Sequence, residues 1–329
     1  MQEKSVPFFT ARCMSYCFYR EIFICGDCAV ATPFKMPSNN KAGELKERTI
    51  KNKRYMIEAH VLPYFENKQM NEISPSDIIQ WQNAIRAKGY SQTYLRMVQN
   101  QITALFTHAS NIYNLHNNPC KKVKKMGKSD ADKLNFWTKD EYDCFISGID
   151  RESKYYVIFE ILFWTGCREG EMLALTKEDV DFQNNQISIT KTYYRTERRD
   201  IITTPKTEQS VRVIDIPQFL TKEIEMYVNR CYGLPDNERL FPIVAEAVQH
   251  KLKRECVKSG VKPIRVHDLR HSHVAYLINQ GVQPLIIKER LGHRDIKITL
   301  NTYGHLYPNQ QKKVADMLNA ARNENAPAD

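Results

Sequence analysis

No run of apolar residues in this 329-residue sequence approaches the length of roughly 20 that a membrane-spanning helix needs, so no membrane partner is expected. A secretory leader is not expected either: the first residues are rich in aromatics and cysteine, but Arg20, Glu21 and Asp27 break any apolar h-region. The nine cysteines are odd in number and irregular in spacing, which points to reduced thiols in a cytoplasmic protein and away from a disulfide framework. Cys13, Cys17, Cys25 and Cys28 are close enough to share a zinc ion, but their C-x3-C-x7-C-x2-C spacing fits no zinc module. There is no internal repeat and no acidic cluster of the kind that holds catalytic metal ions. Neither a metal nor another cofactor is expected.

What the sequence does have is length for two domains and an uneven charge. The net charge is +10, yet residues 45–137 carry 15 lysines and arginines against 7 acids, while residues 138–329 carry 28 against 27. A positive field confined to one half suggests a polyanion, because lysines and arginines facing phosphates release condensed counterions. Lys51, Lys53, Arg54, Arg96, Lys121, Lys122, Lys124 and Lys125 are the candidate DNA-binding residues. For any one of them a solvated helix face is the plain alternative.

Periodicity divides the chain. Residues 1–44 show neither helical nor strand period and read as an atypical leader. From Leu45, Ile50, Tyr55, Ile57 and Val61 fall near helical spacing up to Pro63. A second helix opens with Ser74 as cap and Pro75 in the first turn and closes at Gly89; a third, longer one follows from Ser91. Residues 45–120 are thus expected as a small helical bundle, and the lysine-rich residues 121–137 as a basic linker. Thr138 and Glu141 have capping-box spacing and begin a second domain, residues 138–329, with a strongly apolar helix in "SKYYVIFEILFWTG". Ile187 and Ile189 then alternate with polar residues, and two further short strands flank a loop at residues 205–210. The fold class is mainly α with a small antiparallel β-sheet in the C-terminal domain.

The stretch "RVHDLRHSHVAYL" concentrates three histidines and two arginines. His267 and His271 stand four apart on one helix face, as metal ligands can, but no glutamate lies between them and Arg270 would repel a cation. His271 and His273 are explained equally well by packing or by a phosphate contact. His267 and Arg270, at i and i+3, can point at one ligand. A phosphodiester under attack places most of its charge on two non-bridging oxygens, which arginine forks match. A phenol can attack it if its proton is removed, and the leaving alkoxide needs a proton in return.

R-x-x-E in "TGCREGEMLAL", the lysine of "TPKTEQSVR", H-x-x-R in "HDLRHSHVAYL", "LGH" and "TYGH" together resemble the ordered signature of the tyrosine recombinases, or phage integrase family. The flavour is that of integrases from conjugative transposons and temperate phages. The resemblance implies a two-domain clamp of a helical core-binding domain and a catalytic domain. Arg168 and Arg270 would hold the scissile phosphate with His293, supported by Glu171. Lys206 would protonate the 5′ oxygen and His267 would accept the proton of the nucleophile, Tyr303, in preference to Tyr307. It also implies double-stranded DNA as substrate, a homo-oligomer on DNA (a tetramer) with exchange of the C-terminal tail around Val314, Met317 and Leu318, an excisionase as accessory, and a bacterial, nucleoid-associated protein. Residues 1–44 do not look like the small arm-binding domain with which such integrases often begin. Two other readings are a non-catalytic helix-turn-helix regulator, since residues 283–305 scan as that motif, and a type IB topoisomerase.

Overall fold

The computed structural model describes residues 47–113, 115–129, 134–205 and 208–306, together with residues 315, 316 and 318. Expectations resting on residues 1–44, Lys206, Tyr307, Val314 and Met317 lie outside the described residues. Between residues 129 and 134 the chain divides into two compact units.

The first unit contains α1 (Glu47–His60), α2 (Leu62–Phe65), α3 (Pro75–Ala87) and α4 (Gln92–Ile112). On α1, Met56 and Ile57 are buried but Tyr55, expected on the apolar stripe, is exposed. Residues two apart on a helix face opposite sides, so Tyr55 cannot share the face of Ile57. Pro63 does not merely end a helix: it sits in the first turn of α2, where its missing N–H costs nothing. Ser74 caps α3 reciprocally, accepting from the Asp77 amide at 3.2 Å while its own amide donates to Asp77 Oδ2 at 2.9 Å. Along α4, Leu95, Val98, Ile102, Leu105, Phe106 and Ala109 form one buried stripe against Trp81, whose indole donates to the His60 carbonyl at 2.7 Å. The same core takes in Cys120 and Met126, and Arg96 Nη2 donates to the Gly127 carbonyl at 2.7 Å. The lysine-rich segment is therefore fastened to this unit as far as residue 127, which makes the connector shorter than residues 121–137. Met126 acts as an apolar anchor inside a run that charge alone marks as loop.

The second unit begins with Trp137, buried against Phe145, and α5 (Lys139–Ser147), capped by Thr138 and Glu141 in both directions. Nearly every side of α6 (Lys154–Thr165) is buried, as an all-round apolar helix requires. Next come α7 (Glu169–Met172), β1 (Val180–Asp181), β2 (Gln186–Ile189), β3 (Thr192–Thr196), β4 (Arg199–Thr203) and β5 (Arg212–Asp215). These strands form two antiparallel sheets, one ordered β1-β2-β5 and the other the β3-β4 pair. Sequence alone pointed to one sheet with a hairpin around residue 206. The hairpin lies one strand earlier: β3 and β4 pair from Thr192–Thr203 to Thr196–Arg199. Its turn residues, Glu197 and Arg198, both have positive φ, yet neither is the Asn or Gly that usually signals such a turn.

Helices α8 (Gln218–Arg230), α9 (Ala245–Ser259), α10 (Asp268–Asn279), α11 (Pro284–Leu291) and α12 (Ile296–Tyr303) complete the unit. Val274, Ile278, Ile287, Leu291 and Tyr303 form a small second core among α10, α11 and α12. Among the described residues the cysteines Cys120, Cys144, Cys167, Cys231 and Cys256 are free thiols. No described helix is long and apolar enough to cross a membrane, and no described group of His, Cys, Asp and Glu side chains is arranged to hold a metal ion.

Candidate active site

Arg270 projects from α10 into the interior and is only 3% exposed. Its Nη1 donates to the Gly166 carbonyl at 2.7 Å and its Nη2 to the Leu291 carbonyl at 2.8 Å. One guanidinium thus ties together the segments around "TGCRE", "HDLR" and "LGH", reaching Gly166 across 104 residues and Leu291 across 21. The two carbonyls are presented by glycine turns. Gly166 and Gly292 both adopt φ of +64°, and a Cβ on Gly166 would lie 2.6 Å from the His273 ring. Among the described residues Arg270 makes no ion pair. Burial, followed by the nearby charge of Arg168, pushes its pKa down to about 9, which still leaves it cationic at neutral pH.

Arg168 stands at the N-terminus of α7 with its side chain partly open to solvent, and donates from Nη1 to Glu171 Oε1 at 2.6 Å. Glu171 is buried and also receives Arg212 Nη2 at 2.9 Å. Burial alone would raise its pKa, but the ion pair with Arg212, then that with Arg168, outweighs it and the net shift is downward. Glu171 is therefore a carboxylate. Arg212, on β5, is spent internally: Nε reaches the Arg290 carbonyl at 2.8 Å and Nη1 the Ser210 carbonyl at 3.0 Å. Sequence reading missed it, because an arginine alternating along a short strand carries no signal of burial. Three guanidinium groups gather around one carboxylate. Asp268, on the same helix as Arg270, is already paired with Arg265 at 2.7 Å.

The histidines of this pocket are neutral. His293 pairs through Nδ1 with the Thr299 hydroxyl at 2.9 Å, and burial, then Arg270, Arg168 and Arg212, push its pKa down to about 3. When Nδ1 accepts from Thr299, the proton sits on Nε2. His267, at the start of α10, is exposed as a residue, yet its ring is sheltered enough that burial, then Arg270, lowers its pKa. His273, fully enclosed and held down to about 3 by burial and by Arg290, accepts from Arg290 Nε at 3.1 Å and is a packing residue. Tyr303 is 2% exposed. Its hydroxyl pairs with His271 Nδ1 at 2.7 Å; His267, the histidine expected beside the nucleophile, instead stacks edge-on against His271 with ring centroids 5.1 Å apart. Burial raises the phenol to about 12 against the opposing pull of Arg270. The helix–turn–helix outline of α11 and α12 is real, but its turn delivers His293 to the pocket and its second helix buries Tyr303.

The structure therefore brings Arg168, Glu171, His267, Arg270, His293 and Tyr303 into one electrostatically coupled group. On the first unit, Lys121, Lys122, Lys124 and Lys125 are exposed, and Lys51, Lys53 and Arg54 are half-buried. Arg96, expected as a DNA contact, has its Nη2 engaged by the Gly127 carbonyl at 2.7 Å.

A pocket of this kind, cationic, lined by neutral histidines and floored by a phenol, is suited to phosphoryl transfer onto tyrosine. A profile of the phage integrase family matches residues 135–310, and one for the phage integrase N-terminal SAM-like domain matches residues 36–86. The ICEBs1 integrase of Bacillus subtilis (strain 168) is 33% identical over 294 residues, which cover 83% of this chain and 78% of that protein. The Tn1549 transposon integrase, solved in complex with transposon right end DNA, is similar with a TM-score of 0.71 at 24% identity, over 85% of this chain and 96% of that one. A lambda integrase tetramer bound to a Holliday junction gives a TM-score of 0.58 at 15% identity, over 76% and 73%. The chain belongs to the phage integrase family and is a tyrosine-type site-specific recombinase of the mobile-element kind.

Proposed function

We propose that this enzyme integrates and excises its element by attack of Tyr303 on a phosphodiester held by Arg168, Arg270 and His293. The observation that carries this reading is the charge balance of the pocket: among the described residues Arg168, Arg212 and Arg270 gather around the single carboxylate of Glu171, which leaves a surplus of positive charge beside a phenol. A phosphodiester attacked by a phenolate carries about two negative charges, so the pocket matches the transition state better than the ground state. Arg270 uses two of its five N–H donors on carbonyls and keeps the others for phosphate. Tyr303 Oη bonds to phosphorus, the bond to the 5′ oxygen breaks, and Lys206 gives that oxygen its proton. The 3′ phosphotyrosyl ester conserves the bond energy, so rejoining to another strand needs no ATP.

Residues 45–120 act as the core-binding domain, with Lys121, Lys122, Lys124 and Lys125 against the DNA backbone and a short connector leading to the catalytic domain, residues 138–329. The DNA complex of the Tn1549 integrase and the lambda integrase tetramer support double-stranded DNA as substrate and a homotetramer on it. Exchange of the C-terminal tail would join the protomers. Bonds broken and made are of the same kind, so the reaction has no direction of its own, and an excisionase that binds one arrangement of sites would supply it.

A nicked suicide duplex bearing the element's end sequence traps the intermediate. The wild type is expected to give a covalent adduct on a denaturing gel and Tyr303→Phe none. An adduct with Tyr303→Phe refutes the assignment of the nucleophile, and relaxation of supercoiled DNA of unrelated sequence would mark a topoisomerase instead.

A further inference from the structure

Family resemblance assigns the proton of the nucleophile to His267, but the geometry around Tyr303 differs. The hydroxyl of Tyr303 meets Nδ1 of His271 at 2.7 Å, within the range of a strong O–H···N bond. His271 lies one helical turn beyond His267 on the same face of α10 and stands between it and Tyr303, with ring centroids 5.1 Å and 5.5 Å from the two. From this arrangement we infer that His271, not His267, is the catalytic residue that takes the proton of Tyr303 during strand cleavage and returns it on rejoining. The inference rests on Tyr303 being the nucleophile.

The side chains facing His271 suit this task. Burial first, then the charges of His267, Arg265 and Arg270, disfavour a positive ring there, and Asp268 opposes them in part. The ring is therefore neutral at rest, and Nδ1 carries a lone pair when the proton sits on Nε2. Burial holds the phenol protonated until a substrate arrives, which protects the enzyme from idle reaction. An incoming phosphate brings negative charge beside Arg270 and relieves the repulsion that disfavours imidazolium. In the step itself the O–H bond of Tyr303 breaks toward His271 Nδ1 and the Oη–P bond forms. The bond from phosphorus to the 5′ oxygen breaks with its electron pair, and that oxygen takes a proton from the general acid. Religation runs the same transfers in reverse, so the enzyme ends unchanged. His267, at the exposed end of the pair, is left to contact the phosphate and to shape the charge on its neighbour.

The test uses full-length enzyme, the nicked suicide duplex and single-turnover kinetics from pH 6 to 10. In His271→Asn the amide oxygen stands where Nδ1 was, so the bond that holds Tyr303 can persist while no base remains. Expected is a loss of about 100-fold or more in adduct formation at neutral pH, with DNA affinity kept and the loss shrinking as pH rises and solvent ionises the phenol. His271→Ala should recover in part with added imidazole, a response that a structural role would not give. His267→Asn should lose less, without that pH dependence. Cleavage by His271→Asn at or above the wild-type rate would mean that His271 only parks Tyr303, and an equal or larger, pH-rescued loss in His267→Asn would return the role to His267; either overturns the inference. Tyr303→Phe separates the two levels: if it forms no adduct while His271→Asn is unimpaired, the nucleophile stands and only the base is wrong.

Discussion

The two units handle charge in opposite ways. In the first, the core is apolar and the lysines at 121, 122, 124 and 125 stand in water. In the second, Glu171, Arg270 and the Arg212 side chain are buried and bonded in fixed directions. Surface charge acts through the summed field and tolerates rearrangement, whereas a buried guanidinium must find a partner for each donor it turns inward. The first unit can therefore be tuned by number of charges, and the second only by their placement.

The sharpest way to break that comparison is at the pocket. Tyr303→Phe should abolish adduct formation on the suicide duplex while costing only about 1 kcal/mol of stability, the value of one hydrogen bond; substantial residual cleavage would move the chemistry elsewhere. Next, Arg270→Lys keeps the charge but cannot reach the Gly166 and Leu291 carbonyls together. It should slow cleavage by about 100- to 1000-fold and lower the unfolding free energy by about 2 kcal/mol, measured by single-turnover kinetics and denaturant titration. If it behaved like wild type, placement would not matter in the second unit.

On the first unit the effect should be graded. Replacing Lys121, Lys122, Lys124 and Lys125 by alanine should weaken binding to all sequences alike and reduce the salt slope of log K by about 0.9 per lysine that faces a phosphate, with the cleavage rate at saturating DNA unchanged. Anisotropy titrations at several salt concentrations decide this.

Acid should separate the units further. His271, His273 and His293 have pKa values pushed down to about 4, 3 and 3 from 6.5, so below pH 6.5 the unfolded chain binds protons that the folded one refuses. Stability of the second unit should fall from there toward the folded values. Glu160, raised by burial to about 7 from 4.5, and Glu223, also raised by burial, oppose this, against four histidines that are lowered, His267 being the fourth. In the first unit burial, then Lys88, lowers the pKa of His60. Peptide-resolved hydrogen exchange, corrected for intrinsic rates, should show the second unit losing protection faster. The smallest effect is Arg96→Ala, which removes the bond to Gly127 and should cost the first unit about 1 kcal/mol; a loss of DNA affinity with no loss of stability would instead mark Arg96 as a DNA contact.

Local signals carried far in the helices. Ser74 and Thr138 are caps where the sequence announced them, because a cap depends only on residues within one turn. Ile187 and Ile189 are buried by simple alternation. The β3-β4 hairpin stayed hidden, since Glu197 and Arg198 accept positive φ without advertising it. Met126 looked like part of a loop because its burial comes from α3 and α4, not from its neighbours in sequence.

The same division holds for the site. Arg168, Glu171, Arg270, His293 and Tyr303 could be named from ordered motifs, and the surplus of positive charge in the first unit could be counted. Sequence by itself determined the classes of element, the family and the chemical groups available. Only the tertiary structure decided that Arg212 shares Glu171 with Arg168, that Arg270 binds two carbonyls from distant turns, and that His271 and not His267 meets the phenol. Those choices depend on hydrogen-bond directions between segments as many as 104 residues apart, and no pattern along the chain encodes a distance across it.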